Sequence, residues 1–206
     1  MIRFPLLLVP AAACAALCVA ASATAQTGPA VAGPRIEANV GYDATRTDGA
    51  PRQLRTVDGV RLGVTAGYDV ALAPRVIAGV EAGIGFDLAD AQRATIVGTP
   101  ATERYRLDMG RDIDVSARLG FLVTPRTLLY AKAGWANSAF RARLERTVGA
   151  TTTRTDLKTV ENGLRVGAGL EQMLGDRAYA MAEYRYTSYG DGVNRHQALA
   201  GLGYRF

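Results

Sequence analysis

Between residues 35 and 206 the chain repeats one pattern eight times: apolar residues alternate with polar ones, and each alternating run is followed by a turn or loop. The runs are Arg35–Asp43, Val60–Val70, Val76–Asp87, Asp112–Val123, Leu128–Phe140, Leu164–Gln172, Ala178–Ser188 and His196–Phe206. Helical periodicity is absent, so the pattern predicts strands. Each run holds 9–13 residues, close to the roughly 9–11 that a tilted strand needs to cross a bilayer.

The two phases of these runs differ in kind. One phase, which includes Val60, Leu62, Val64, Ala66, Tyr68 and Val70, covers 45 positions across the eight runs without a single Asp, Glu, Lys or Arg. Charged residues are 21% of the chain, so such a gap is not compositional noise. The opposite phase carries Arg35, Glu37, Asp43, Arg61, Asp69, Glu81, Asp87, Asp114, Arg118, Lys132, Arg165, Glu171, Glu183, Arg185 and Arg205. It also carries every glycine inside a run, for example Gly63, Gly79, Gly85 and Gly203.

In a water-soluble sandwich the apolar phase would face a core and the charged phase water, where glycine weakens a strand for no packing return. In a closed barrel of eight strands the interior is just wide enough for side chains. Glycine there leaves room for neighbouring Arg, Lys and Glu. The expected fold is therefore all-β: an eight-stranded antiparallel up-and-down transmembrane β-barrel, apolar outside and polar within. Only helices and closed barrels satisfy every backbone amide in hydrocarbon.

The connections alternate in length. Short ones lie at 71–75, 124–127 and 173–177; long loops are expected at 44–59, 88–111 and 141–163, with a shorter one at 189–195. Short turns on one side and long loops on the other fit a membrane-spanning meander. Ahead of the barrel, Arg3, the apolar run Leu6–Ala20 and Ala23-Thr24-Ala25 read as a secretory signal peptide over residues 1–25. Residues 26–34 are then a short periplasmic N-terminal segment. Both cysteines, Cys14 and Cys18, fall in the leader, which leaves the mature chain no disulfide or thiolate metal site. Without Arg3 the mature chain carries 23 basic and 19 acidic residues, a net +4. That is too mild and too interleaved for nucleic-acid binding. No cofactor and no metal site is expected.

The charge-free phase places its aromatics in bands. Tyr68, Phe121, Tyr204 and Phe206 lie toward the short turns, and Tyr42, Phe86 and Tyr186 toward the long loops. Rings with a polar edge favour membrane interfaces, and Trp135 reads as a lipid anchor. The last run pairs with the first to close the cylinder.

The runs Leu129-Tyr-Ala-Lys-Ala-Gly-Trp135, Leu164-Arg-Val-Gly-Ala-Gly-Leu-Glu171 and Ala182-Glu-Tyr-Arg-Tyr-Thr187, with the C-terminal stretch, resemble the small opacity-protein-like, porin-like outer-membrane barrels of Gram-negative bacteria. That resemblance implies export to the cell outer membrane. Gly201, Tyr204 and Phe206 are similar to the C-terminal assembly signal of such proteins, which implies the barrel-assembly machinery as a transient partner. Members differ in role, and an eight-stranded one is not expected to be an open pore. With Phe206 closing the last run, no peptidoglycan-binding domain is expected after the barrel.

Arg61, Glu81, Asp114, Arg118, Lys132, Arg165, Glu171, Glu183 and Arg185 are the candidate lumen ion-pair network, expected to plug the barrel because buried charges are tolerated only when paired. Arg104, Arg143, Arg146 and Arg154 in the loops are candidate contacts to lipopolysaccharide phosphates. The expected role is structural or surface-exposed, in envelope integrity, adhesion or lipopolysaccharide contact, by a monomer without catalysis. A narrow porin-like channel for ions or small solutes is the alternative. A lipid A-modifying enzyme ranks below it. If Ala178 faces Phe206, then Ser188 lies opposite His196, but that face offers no orienting carboxylate.

Overall fold

The computed structural model describes residues 31–47, 56–88, 92–97, 101–148, 151–190 and 192–206. The expected signal peptide and most of the segment 26–34 lie outside the described residues. Nine strands follow in chain order: β1 Gly33–Thr47, β2 Thr56–Ala73, β3 Val76–Asp87, β4 Gln92–Val97, β5 Ala101–Thr124, β6 Thr127–Val148, β7 Thr151–Met173, β8 Ala178–Gly190 and β9 Val193–Arg205. Every pairing is antiparallel.

Eight of these strands close into a barrel in which sequence neighbours pair and β9 returns to β1; β3 pairs β5 directly, and β4 hangs on β5 outside the ring. The closing seam runs from Arg35 opposite Arg205 to Thr47 opposite Val193. At its lower end the Phe206 amide donates to the Pro34 carbonyl over 3.0 Å. A cylinder closed this way exposes no unpaired edge at membrane depth, which is the condition hydrocarbon imposes.

Side-chain burial follows the two phases of the sequence. Val60, Leu62 and Val64 are exposed on the outside, and Arg61, Thr65 and Asp69 are buried inside. The barrel is thus an inverted globule, with its polar residues in the core and its apolar ones at the surface.

The long loops expected at 88–111 and 141–163 are mostly strand. β5, β6 and β7 run 24, 22 and 23 residues, roughly a dozen more than a membrane crossing requires. Their upper parts, edged by β4, form a ribbon standing beyond the barrel. Alternation continues in the ribbon, as in Phe140-Arg-Ala-Arg-Leu144, but there the charged residues occupy the phase that is charge-free in the barrel, which ends the lipid-facing stripe at Arg141. A register shift between Met109 and Asp112 marks where β5 leaves the barrel.

Candidate functional site: the charged lumen and the ribbon above it

The lumen holds one continuous set of ion pairs. Near the short turns, Arg205 bonds Asp69 over 2.6 Å and Glu171 over 2.5 Å. Arg118 bonds the same two carboxylates, Asp69 over 2.6 Å and Glu171 more closely. Arg35 lies 3.2 Å from Asp69 and 3.6 Å from Glu37, and also pairs with Glu81. Lys132 bridges Glu81 over 2.5 Å and Glu183 over 2.8 Å. Arg185 pairs with Glu183 and stands 3.7 Å from Asp114. Arg165 then donates to Asp114 over 2.8 Å, to both oxygens of Asp112 over 2.9 Å and to the Thr187 hydroxyl over 2.8 Å. Arg61 lies 3.1 Å from Asp112. At the far end Arg195 pairs with Asp43, donates to Asp87 over 2.8 Å and lies 3.8 Å from Asp112.

All nine residues of the candidate network lie in this set, joined by Arg35, Glu37, Asp43, Asp69, Asp87, Asp112, Arg195 and Arg205. The described lumen thus balances eight cations with nine carboxylates. Two of the joining residues were the hardest to read. Asp112 opens its run, and Arg195 fell within an expected loop, although it keeps the inward phase of Arg205 and Gln197. Aromatic rings flank the guanidiniums, with Arg118 4.9 Å above the Tyr130 ring and Arg205 5.0 Å above Tyr179.

Glycine supplies the room. A Cβ on Gly85 would collide with the Arg61 guanidinium, one on Gly79 with the Asp69 carboxylate, and one on Gly203 with the Tyr179 ring. Below the charges the inward phase turns apolar. Val31, Ile77, Leu122, Leu128, Met173, Tyr179 and Met181 form a buried cluster across the short-turn end, with the Arg205 guanidinium donating to the Val31 carbonyl over 2.5 Å.

On the outer surface Tyr42, Tyr68, Phe86, Phe121, Trp135, Tyr204 and Phe206 are exposed, and Tyr186 is half-buried. Tyr204 and Phe206 meet edge-on, 5.2 Å between ring centroids. In the ribbon, Arg146 and Arg154 are exposed, and Arg154 lies 3.1 Å from Glu145. The side chains of Arg104 and Arg143 lie outside the described residues, but their backbone register is defined. One set of alternate positions contains Arg93 opposite Arg106, Arg106 opposite Arg143, and Arg143 opposite Asp156. Arg104, Glu145 and Arg154 share it, whereas Arg146 falls in the other set opposite Glu103. Along β6 and β7 the set containing Arg143 and Arg154 continues the outward phase of the barrel.

The outer membrane protein beta-barrel domain matches residues 11–206. The chain belongs to that family. It is an outer-membrane β-barrel protein, and by the rule for such barrels the short turns face the periplasm and the ribbon stands outside the cell. Among relatives, the 25 kDa outer-membrane immunogenic protein of Brucella ovis is 26% identical over 72% of this chain and 65% of its own length. The chain thus matches somewhat less than two thirds of that protein. The 31 kDa outer-membrane immunogenic protein of Brucella melitensis is 26% identical over 73% of the chain and 68% of its own length. The crystal structure of Neisserial surface protein A superposes with a TM-score of 0.53 at 17% identity, covering 84% of this chain and 97% of that one. That likeness is one of fold.

On this outer-membrane barrel the Ser188–His196 pairing does not form. Ala178 lies opposite Tyr204 instead of Phe206, Ser188 opposite Asn194, and His196 opposite Tyr186. The cause is a tight turn. Gly190 and Gly192 adopt positive φ of 82° and 75°, which brings Val193 back opposite Gly190 and moves the register by two residues. His196 instead shares a short hydrogen bond of 2.6 Å between its Nδ1 and the Tyr184 hydroxyl. Of the candidate assembly residues, Gly201 packs against the β1 backbone, with the Ala38 carbonyl 2.6 Å from where a Cβ would sit.

Proposed function

We propose that this protein is a non-catalytic, surface-exposed element of the outer membrane, with a plugged lumen and a ribbon that holds lipopolysaccharide. One observation carries the reading. The outward phase holds no charge while the strands cross lipid, and beyond it on β6 and β7 it turns charged with a basic excess, Arg141, Arg143, Arg154 and Lys158 against Glu145 and Asp156. Like charges aligned across strands are unfavourable; the row Arg93, Arg106, Arg143 meets one carboxylate, Asp156, at its end, and a bridging anion would add to that neutralisation. Lipopolysaccharide phosphates lie around the barrel at that height, and guanidinium forks suit phosphate oxygens. The names of the Brucella relatives, immunogenic outer-membrane proteins, support surface exposure. The paired charges and the apolar floor beneath them support the plug, since charges engaged with one another across the bore leave an ion few free partners.

Two experiments test this. The variant R104A/R143A/R154A should retain several-fold less lipopolysaccharide on purification from outer membranes than wild type; equal retention would overturn the lipopolysaccharide contact. In planar bilayers the protein should give no steady current. Sizeable conductance steps would overturn the plug and favour the narrow channel. During biogenesis the barrel-assembly machinery is the proposed transient partner, and the assembled protein works as a monomer.

A further inference from the structure

The periplasmic rim repeats one device three times. At each short turn an arginine carbonyl accepts a backbone amide at or near the end of the strand next door: Arg75 from Leu122 over 2.8 Å, Arg126 from Met173 over 2.8 Å, and Arg177 from Arg205 over 2.9 Å. Each tether pins the turn and leaves an exposed arginine at the boundary between the inner leaflet and the periplasm. Arg177 shows where such a guanidinium can reach, because its Nη1 donates to the hydroxyl of the outward-facing Tyr204 over 3.3 Å. At the Arg75 seam the residue equivalent to Tyr204 is Phe121, whose ring has no oxygen to accept.

Beside that seam the lipid-facing surface is hollowed. A groove of about 380 Å³ is lined by Val76, Leu119, Phe121, Leu129, Ala131 and Ala168. The register explains its shape. The small pair Ala131 and Ala168 forms a floor beneath a wall made by the cross-strand pair Phe121 and Leu129. Val76 follows Arg75 directly, and Phe121 and Leu129 belong to the hairpin whose turn holds Arg126. The groove thus has apolar walls at acyl-chain depth and two cations at its periplasmic end.

We infer that this groove is a phospholipid site, seating one acyl chain of an anionic phospholipid of the inner leaflet while Arg75 and Arg126 take the headgroup phosphate. The charge pattern selects the occupant: an apolar slot open to lipid and capped by guanidiniums complements a phosphate-headed amphiphile. A second barrel copy would place the same arginines against each other.

Native mass spectrometry of the detergent-refolded full chain tests it, with palmitoyl-oleoyl phosphatidylglycerol and the matching phosphatidylcholine as probes. Wild type should keep one phosphatidylglycerol at several-fold lower lipid concentration than phosphatidylcholine. R75A/R126A, altered only on exposed turns and checked for folding by gel mobility without boiling, should lose that preference. R177A, whose tether joins the β7–β8 turn to β9, a strand that does not line this groove, should keep it. Filling the floor with A168F should weaken retention of both lipids. Equal retention of the two lipids by wild type, or an undiminished preference in R75A/R126A, would overturn the site. A dimer abolished by A168F would assign the groove to a second copy, and loss of peptidoglycan binding in R75A/R126A with lipid retention unchanged would assign the arginines to the cell wall; either result rejects the lipid.

Discussion

Each strand position in this barrel answers to one of two solvents. Val64 is exposed on the lipid side, and its neighbour Thr65 is buried in the lumen. Val64→Arg should therefore lower stability by about 2–4 kcal/mol in urea unfolding from vesicles, since that is the cost of a cation near the bilayer midplane. Inside, the constraint is space. Gly85→Val must push the Arg61 guanidinium off its seat and away from Asp112, an overpacking expected to cost about 1–3 kcal/mol. Gly175→Ala, where a Cβ would meet nothing within 4 Å, should leave the same transition within about 0.5 kcal/mol. Removing one partner from the network is harsher. Arg118→Met leaves Glu171 with Arg205 alone, which it must share with Asp69, and should cost about 3–5 kcal/mol. Period-two reading placed these charges in the lumen, yet it could not say which touches which. Arg118 and Glu171 stand on strands that are not neighbours, and their meeting depends on barrel stagger, which no local pattern encodes.

The elements that cross lipid were legible because hydrocarbon stamps them with alternation. The ribbon was not, since charge enters the outward phase at Arg141 on β6, opposite Lys158 on β7, which ends the charge-free stripe although period-two alternation continues. β-branched residues such as Thr151, Thr152 and Thr153 were the available sign of strand there. The β8–β9 register escaped for a different reason: it is set by the backbone twist at Gly190 and Gly192 rather than by any face. The ribbon's exposure yields a prediction at this scale. Trypsin added to intact cells should cut after Arg146 or Arg154 and leave Arg118, Arg165 and Arg185 uncleaved, with the barrel core recovered as a protected fragment. Cleavage at the lumen arginines under the same conditions would mean that the cylinder opens.

At the scale of the whole molecule, an inverted core is stable only while lipid surrounds it, because the apolar surface that would cost a soluble protein its solubility is here in its preferred solvent. Closure by β9 on β1 completes the cylinder, with an apolar cluster toward the short turns and ion pairs above it. The central claim is that the charge-free phase touches acyl chains while the charged phase is sealed inside. The chain contains one tryptophan, Trp135, on the outward face of β6 and exposed, so it reports on that claim without any substitution. Folded into vesicles of brominated phosphatidylcholine, the protein should show Trp135 emission strongly quenched relative to unbrominated lipid, and most strongly by bromines near the headgroup end of the chain. Emission of equal intensity in both kinds of vesicle would place that face away from lipid and contradict the account.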